Sequence, residues 1–144
     1  MIFIGFGFLM CFLKSHNWSS IGYNYLVAAW AIQVTILWSH FWKQVTLYYD
    51  NPETYSFKKL SLTVETIMEA EFGAGAVLIS MGAILGKCSL MQLFGMANLN
   101  VFFYTLNRAI VFNIFKASDI GESMNIHTFG AYFGVIMTWF FQPK

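Results

Sequence analysis

Asp119, Ser123 and His127 are spaced i, i+4 and i+8, so on an α-helix they would run along one side of it from its mouth inward. The last two belong to the stretch Ser123-Met-Asn-Ile-His127-Thr-Phe-Gly-Ala-Tyr-Phe-Gly134, which lies in a run from Ser123 to Gln142 without a formal charge. That run is long enough to cross a bilayer. A titratable ring in such a segment needs a reason, because its charged form is costly in hydrocarbon and its neutral form still wants a hydrogen-bond partner. Phe72 lies at a comparable depth from the same membrane face on an earlier apolar segment. An acid and a hydroxyl at a mouth, an aromatic below them and a neutral imidazole deeper would suit a small species that enters as a cation and proceeds neutral. The acid raises local cation concentration, and the imidazole offers a donor or acceptor without fixed charge. The competing reading is structural: Asp119 caps the helix, Ser123 bonds its own backbone and His127 bonds across a helix interface. On the residues alone both remain open.

Of the 144 residues, 58% are hydrophobic and only 10% charged, against roughly a quarter charged in soluble domains. This composition predicts a membrane protein. A formal charge of +1 gives no basic or acidic excess, so nucleic acid is not an expected partner. Cys11 and Cys88 have neither CxxC nor Cys/His spacing, so neither a disulfide framework nor a zinc site is indicated and packing roles are expected; no metal or other cofactor is expected. Met1–Leu13 has no basic region before its apolar run and no small-residue cleavage site after it, so it does not read as a signal peptide. It is also too short to cross ~30 Å of hydrocarbon, so the chain is expected to begin inside a helix and to be a fragment.

The elements that must position these residues are five apolar helices, at about 1–14, 21–42, 64–85, 90–115 and 122–142. Trp38, His40 and Trp42 mark an interfacial helix end. The polar stretch Lys43–Leu62, with Asp50-Asn-Pro-Glu53 as a turn, reads as a solvent loop. The third helix opens with Glu65, Glu69 and Glu71; the first suits the helix dipole, and the other two lie deeper. Arg108, two turns before the end of the fourth helix, wants a carboxylate, and Glu71 and Asp119 are candidates near the same face. Gly130 and Gly134 form a small-xxx-small spacing that lets two helices approach closely. Lys14, Lys87 and Lys144 stand on connections without acids, which makes that face cytoplasmic and leaves the sequon Asn17-Trp-Ser19 unmodified.

Ile4-Gly-Phe-Gly-Phe-Leu-Met10, Gly82-Ala-Ile-Leu-Gly-Lys87 and above all Ser123–Gly134 resemble the Rh glycoprotein branch of the ammonium transporter family, in order along essentially the whole chain. The resemblance implies an all-α transmembrane helical bundle, of which this chain would hold about five spans, roughly the second to the sixth of eleven or twelve arranged as inverted repeats. It implies a multi-pass protein of the plasma membrane, not an enzyme, assembled as a homotrimer or with other Rh chains. By position in the motif, His127 matches the first of twin pore histidines, Asp119 the acid that orders the outer mouth, and Phe72 one of two gating phenylalanines. The implied activity is conduction of ammonia: ammonium drawn to the vestibule loses its proton and passes an apolar pore. Carbon dioxide conduction and a non-conducting Rh-like membrane scaffold are the alternatives. A haem protein using His16, His40 and His127 would lack paired ligand spacing. Relatives usually carry an acid after Asn107, where this chain has Arg108; Glu71 keeps the acid before the gate residue and Glu69 adds one, so Glu69 or Glu71 is expected to neutralise Arg108 in the vestibule.

Overall fold

The computed structural model describes residues 1–12, 18–53 and 55–141. Lys14, His16, Asn17 and Lys144, which carry part of the topology, sequon and haem readings, lie outside the described residues. Helices α1 (Ile2–Cys11), α2 (Ser19–Asp50), α3 (Val64–Ala83), α4 (Leu90–Ala109) and α5 (Phe129–Phe140) follow in order. Two π-helical segments intervene, Ile110–Ile114 continuing α4 and Ser123–Thr128 leading into α5. Among the described residues there is no strand. Helix α3 packs against α2, α4 and α5, while α1 lies mainly on α2.

One boundary differs from the sequence reading. Lys43 to Asp50 continues α2 instead of opening a loop, so the helix has 32 residues. At ~1.5 Å per residue it is about 48 Å long, well beyond roughly 30 Å of hydrocarbon. No glycine or proline interrupts it after Gly22, and it stops at Asn51, whose φ of −146° is the extended backbone favoured before Pro52. Its polar end is held by the returning chain. Buried Gln44 accepts from the Tyr55 hydroxyl (3.0 Å) and the Lys58 N–H (3.3 Å), and donates to the Lys58 carbonyl (3.3 Å). Among the described residues α2 is the one helix long and apolar enough, by length and composition, to cross a bilayer.

Helix α3 starts from a reciprocal cap between Thr63 and Thr66, with Glu65 in its first turn. From Gly73 to Leu78 every residue is buried. Small residues allow this. A Cβ at Gly73 would lie 2.6 Å from Thr35 Oγ1 of α2. One at Gly130 would lie 2.9 Å from the Ala76 carbonyl, and one at Gly134 3.0 Å from both Ser80 Cα and Ala83 Cβ. Both α5 glycines therefore sit against α3 backbone. At this contact the buried Ser80 hydroxyl donates to the Gly130 carbonyl (2.7 Å) and accepts from the Asn100 side-chain amide (2.7 Å). One hydroxyl thereby links α3, α4 and α5, and in an apolar surround each of these groups would cost more unpaired than paired.

Glycine substitutions should consequently have opposite signs. Gly134→Ala forces backbone apart and is expected to destabilise by about 1–3 kcal/mol. Gly95→Ala, on an α4 face with nothing within 4 Å, is expected to be neutral or to stabilise by up to about 1 kcal/mol. Denaturant titration of the detergent-solubilised chain measures both; equal effects would disprove the packing role of Gly134.

Candidate functional site

Chain ends and loops converge at one end of the bundle: the first turns of α3, the last turn of α4, the connection 115–122 and the start of the Ser123–Thr128 segment. This connection cannot follow a helical path. Lys116 (φ 51°), Gly121 (φ 88°) and Glu122 (φ 54°) all take left-handed backbone. For glycine this is free, but for Glu122 it costs about 1–2 kcal/mol. The observed conformation therefore needs support from its surroundings.

Part of that support comes from Asp119. Its Oδ1 accepts from Ser123 Oγ (3.1 Å), and its Oδ2 accepts from the N–H groups of Met124 and Asn125 and from the Asn125 side-chain amide, each at 3.0 Å. The first N–H groups of a helix have no intrahelical acceptor, so this carboxylate supplies one. Asn125 is fully buried, and its Oδ1 accepts from the Asn107 amide at 3.0 Å, which carries the cap across to α4. Partial desolvation pushes the Asp119 carboxyl up. The bonds donated by the Asn125 N–H, Ser123 Oγ, the Met124 N–H and the Asn125 amide outweigh it and hold Asp119 below the ordinary 3.8.

This geometry replaces the i, i+4, i+8 alignment. Asp119 precedes the helix, and Ser123–Thr128 is π-helical, so the three side chains do not lie along one α-helical stripe. Ser123 is exposed and bound to Asp119, outside the cavity that His127 lines. That cavity, about 410 Å³, is bordered by Glu71, Phe72, Gly75 and Ile79 of α3, by Ile2 and Phe6 of α1, and by Asp119, Gly121, Glu122, Ile126 and His127. Phe72 also packs against the buried cluster of Ala76, Tyr104 and Ile126. The structure thus brings His127, Phe72, Asp119 and Glu71 onto one surface. Charge lies at the end nearer the loop, and the α3 lining turns apolar from Phe72 to Ile79.

Arg108 meets one of the acids expected for it, Glu69, and one that was not, Glu122. Its guanidinium lies 3.4 Å from Glu69 and 3.5 Å from Glu122, and 5.3 Å from the Phe112 ring centroid. Among the described residues Glu71 and Asp119 form no ion pair with it; both line the His127 cavity instead. Arg108 faces a neighbouring cavity of about 300 Å³ with Trp42, Lys43 and Glu69. Sequence reasoning missed Glu122. The available signal was an acid immediately before the Ser123 motif, beside a glycine that permits a turn. Burial raises the Glu122 carboxyl above its ordinary 4.5, with Arg108 opposing and Asp119 and Glu69 adding to the rise.

The two acids respond oppositely to pH. Glu122, raised by folding, contributes stability that is full below 4.5 and is lost as pH rises through its raised value. Asp119, depressed by folding, contributes stability that is present above 3.8 and is lost as pH falls through its lowered value. Hydrogen exchange at Met124 and Asn125, corrected for intrinsic rates, should therefore stay slow down to about pH 4 and accelerate only at lower pH. Asp119→Ala should show the fast exchange already at neutral pH. Acceleration of the unsubstituted chain between about pH 7 and 5 would exclude Asp119 as the cap.

With this geometry in hand, the relatives of the chain can be set beside it. The model of the Ammonium Transporter Family matches residues 1–144. The chain is 40% identical to the ammonium transporter Rh type C of Rattus norvegicus over 147 aligned residues, covering 100% of this chain and 27% of the relative. It is 45% identical to the Rh type B protein of Xenopus tropicalis over 138 residues, covering 96% of this chain and 28% of the relative. The Danio rerio Rh type B protein is 44% identical over the same share of both. The chain thus spans little more than a quarter of these relatives' length. By a match along its whole length, it belongs to the ammonium transporter family, a family of membrane transport proteins.

Proposed function

We propose that the protein is part of an Rh-type ammonia channel, in which Glu71 and Asp119 attract ammonium to an outer vestibule, Phe72 gates the entrance and His127 lines the path of the neutral molecule. The observation that carries this reading is that these four residues border one cavity of about 410 Å³. Carboxylates at the loop end raise the local concentration of a small cation. Deeper, the lining of Phe72, Ile79 and Ile126 offers no counter-charge, so a cation would pay the cost of leaving water unaided. Loss of the proton to water at the carboxylate end removes that cost, and ammonia then needs only a hydrogen-bond partner. The His127 imidazole supplies one, as donor or acceptor according to its tautomer.

His127 is exposed within this chain, and so are Tyr132, Val135, Ile136 and Trp139 of α5. An imidazole without a hydrogen-bond partner among the described residues, beside an apolar surface, fits a helix that meets further protein on that side, consistent with a second repeat closing the pore. The same apolar surfaces suit a multi-pass protein of the plasma membrane, surrounded by lipid and assembled as a trimer.

The test uses a chimaera in which this chain replaces the matched segment of the Xenopus tropicalis Rh type B protein. Methylammonium uptake should depend on His127. His127→Ala removes one hydrogen-bonding partner, and a loss of about 1.4 kcal/mol corresponds to roughly tenfold slower uptake at equal surface expression. Uptake equal to that of the unsubstituted chimaera would refute the pore role and favour a scaffold.

A further inference from the structure

Glu122 is a second link, beside the Asn107–Asn125 bond, between α4 and the segment that carries His127. Its side chain, 13% exposed, ends an ion pair from Arg108 of α4. Its backbone begins the segment that carries His127: the Glu122 carbonyl accepts the N–H of Ile126 at 2.9 Å and that of His127 at 3.4 Å. The residue does this from left-handed backbone, which a glutamate does not choose unaided. Arg108 is itself fixed, by Glu69 of α3 at 3.4 Å and by the Phe112 ring. Tyr104 of α4, fully buried, lies beside both Arg108 and Glu122. A planar guanidinium can serve two carboxylates at once, which a lysine ammonium does less well.

We infer that Arg108 is a positioning residue for His127, acting through Glu122: the ion pair holds the left-handed turn, and the turn sets the register of the π-helical segment that brings the imidazole to the cavity. This rests on the pore reading given above. The simpler role for Arg108, neutralising nearby acids, makes a different prediction. Glu69 shares the guanidinium at nearly the same distance, yet its backbone belongs to α3 and, among the described residues, makes no hydrogen bond to the His127 segment. Loss of charge at Glu69 and at Glu122 should be equivalent if Arg108 is only a counter-charge, and unequal if it positions the turn.

The experiment compares Arg108→Gln, Glu122→Gln, Glu69→Gln and the double variant Arg108→Gln/Glu122→Gln in the chimaera, measuring methylammonium uptake against concentration and normalising to surface protein. Misplacing a pore group should lower the maximal rate about fivefold or more in Arg108→Gln and Glu122→Gln, with half-saturation changed less than about twofold. The double variant should be no slower than the slower single, because both remove one interaction. Glu69→Gln should stay within about twofold of the unsubstituted chimaera. Equal losses in Glu69→Gln and Glu122→Gln, multiplied losses in the double variant, or normal uptake in Glu122→Gln would each overturn the inference. His127→Ala run in parallel separates the two readings: normal uptake there sinks the pore itself, whereas lost uptake there with normal Glu122→Gln sinks only the positioning role. If a variant fails to reach the surface, hydrogen exchange of the isolated 144-residue chain decides. Amides of residues 123–128 should exchange about tenfold faster in Arg108→Gln and Glu122→Gln but not in Glu69→Gln, and equal exchange in all three contradicts the inference.

Discussion

The backbone N–H groups at the start of a helix have no partner within it, and where a helix begins beside a cavity they must find one elsewhere or remain unpaired. At Met124 and Asn125 that partner is the Asp119 carboxylate, which takes both N–H groups, the Asn125 amide and the Ser123 hydroxyl. The remainder of this end of the bundle follows from the cap. Asn125 can be fully buried because its side chain is satisfied by Asp119 on one side and Asn107 on the other. Ile126 and His127, the next residues, then fall against α3 at the cavity. The two readings that the residues alone left open for Asp119 are not exclusive: the carboxylate that caps the segment also lines the cavity.

The other requirement is a frame that does not yield. Helix α3 supplies it by being almost without side-chain bulk where its neighbours meet it. Alanines and glycines at Gly73–Ala76 let α2 and α5 approach its backbone, and the Ser80 hydroxyl fixes α5 and α4 to the same turn. Close backbone approach strengthens dispersion contacts in a setting where water-driven association is absent, and a satisfied hydroxyl adds direction. Phe72 and Glu71 sit in the N-terminal half of this helix, so the cavity wall inherits its rigidity.

How much of this the sequence displayed depends on the kind of interaction. The helices were visible because apolar, charge-free runs have a simple cause, and the all-helical class follows from them. The end of α2 was not: Lys43, Gln44 and Asp50 look like loop composition, but a helix leaving the hydrocarbon needs no apolar residues, and nothing breaks it before Pro52. The alignment of Asp119, Ser123 and His127 presumed one continuous α-helix, and Gly121 was the residue that argued otherwise. Gly130 and Gly134 carried their spacing in plain view, although only the structure names Ala76, Ser80 and Ala83 as what they meet. Of the partners of Arg108, Glu69 was among the acids the sequence offered and Glu122 was not. Which of several nearby acids reaches a guanidinium depends on a left-handed turn and on side-chain direction, neither of which spacing encodes.

Arg108 at first sight opposes the attraction of a cation to the mouth, and the placement of the acids resolves this. Three carboxylates border the His127 cavity: Glu71, Asp119 and Glu122. Arg108 is shared between Glu122 and Glu69, and Glu69 borders the neighbouring cavities, not that of His127. Its positive charge is therefore offset within its own cluster, on the far side of Glu122 from the cavity. Glu71 and Asp119 are left facing the cavity without a cationic side chain among its lining residues. Asp119 remains ionised well into the acid range, since its hydrogen bonds favour the charged form. In the channel proposed above, the field at the cavity mouth would thus stay negative, and because exposed charges beyond about 8 Å are screened at physiological salt, an approaching cation would meet these two near carboxylates, not the net charge of +1.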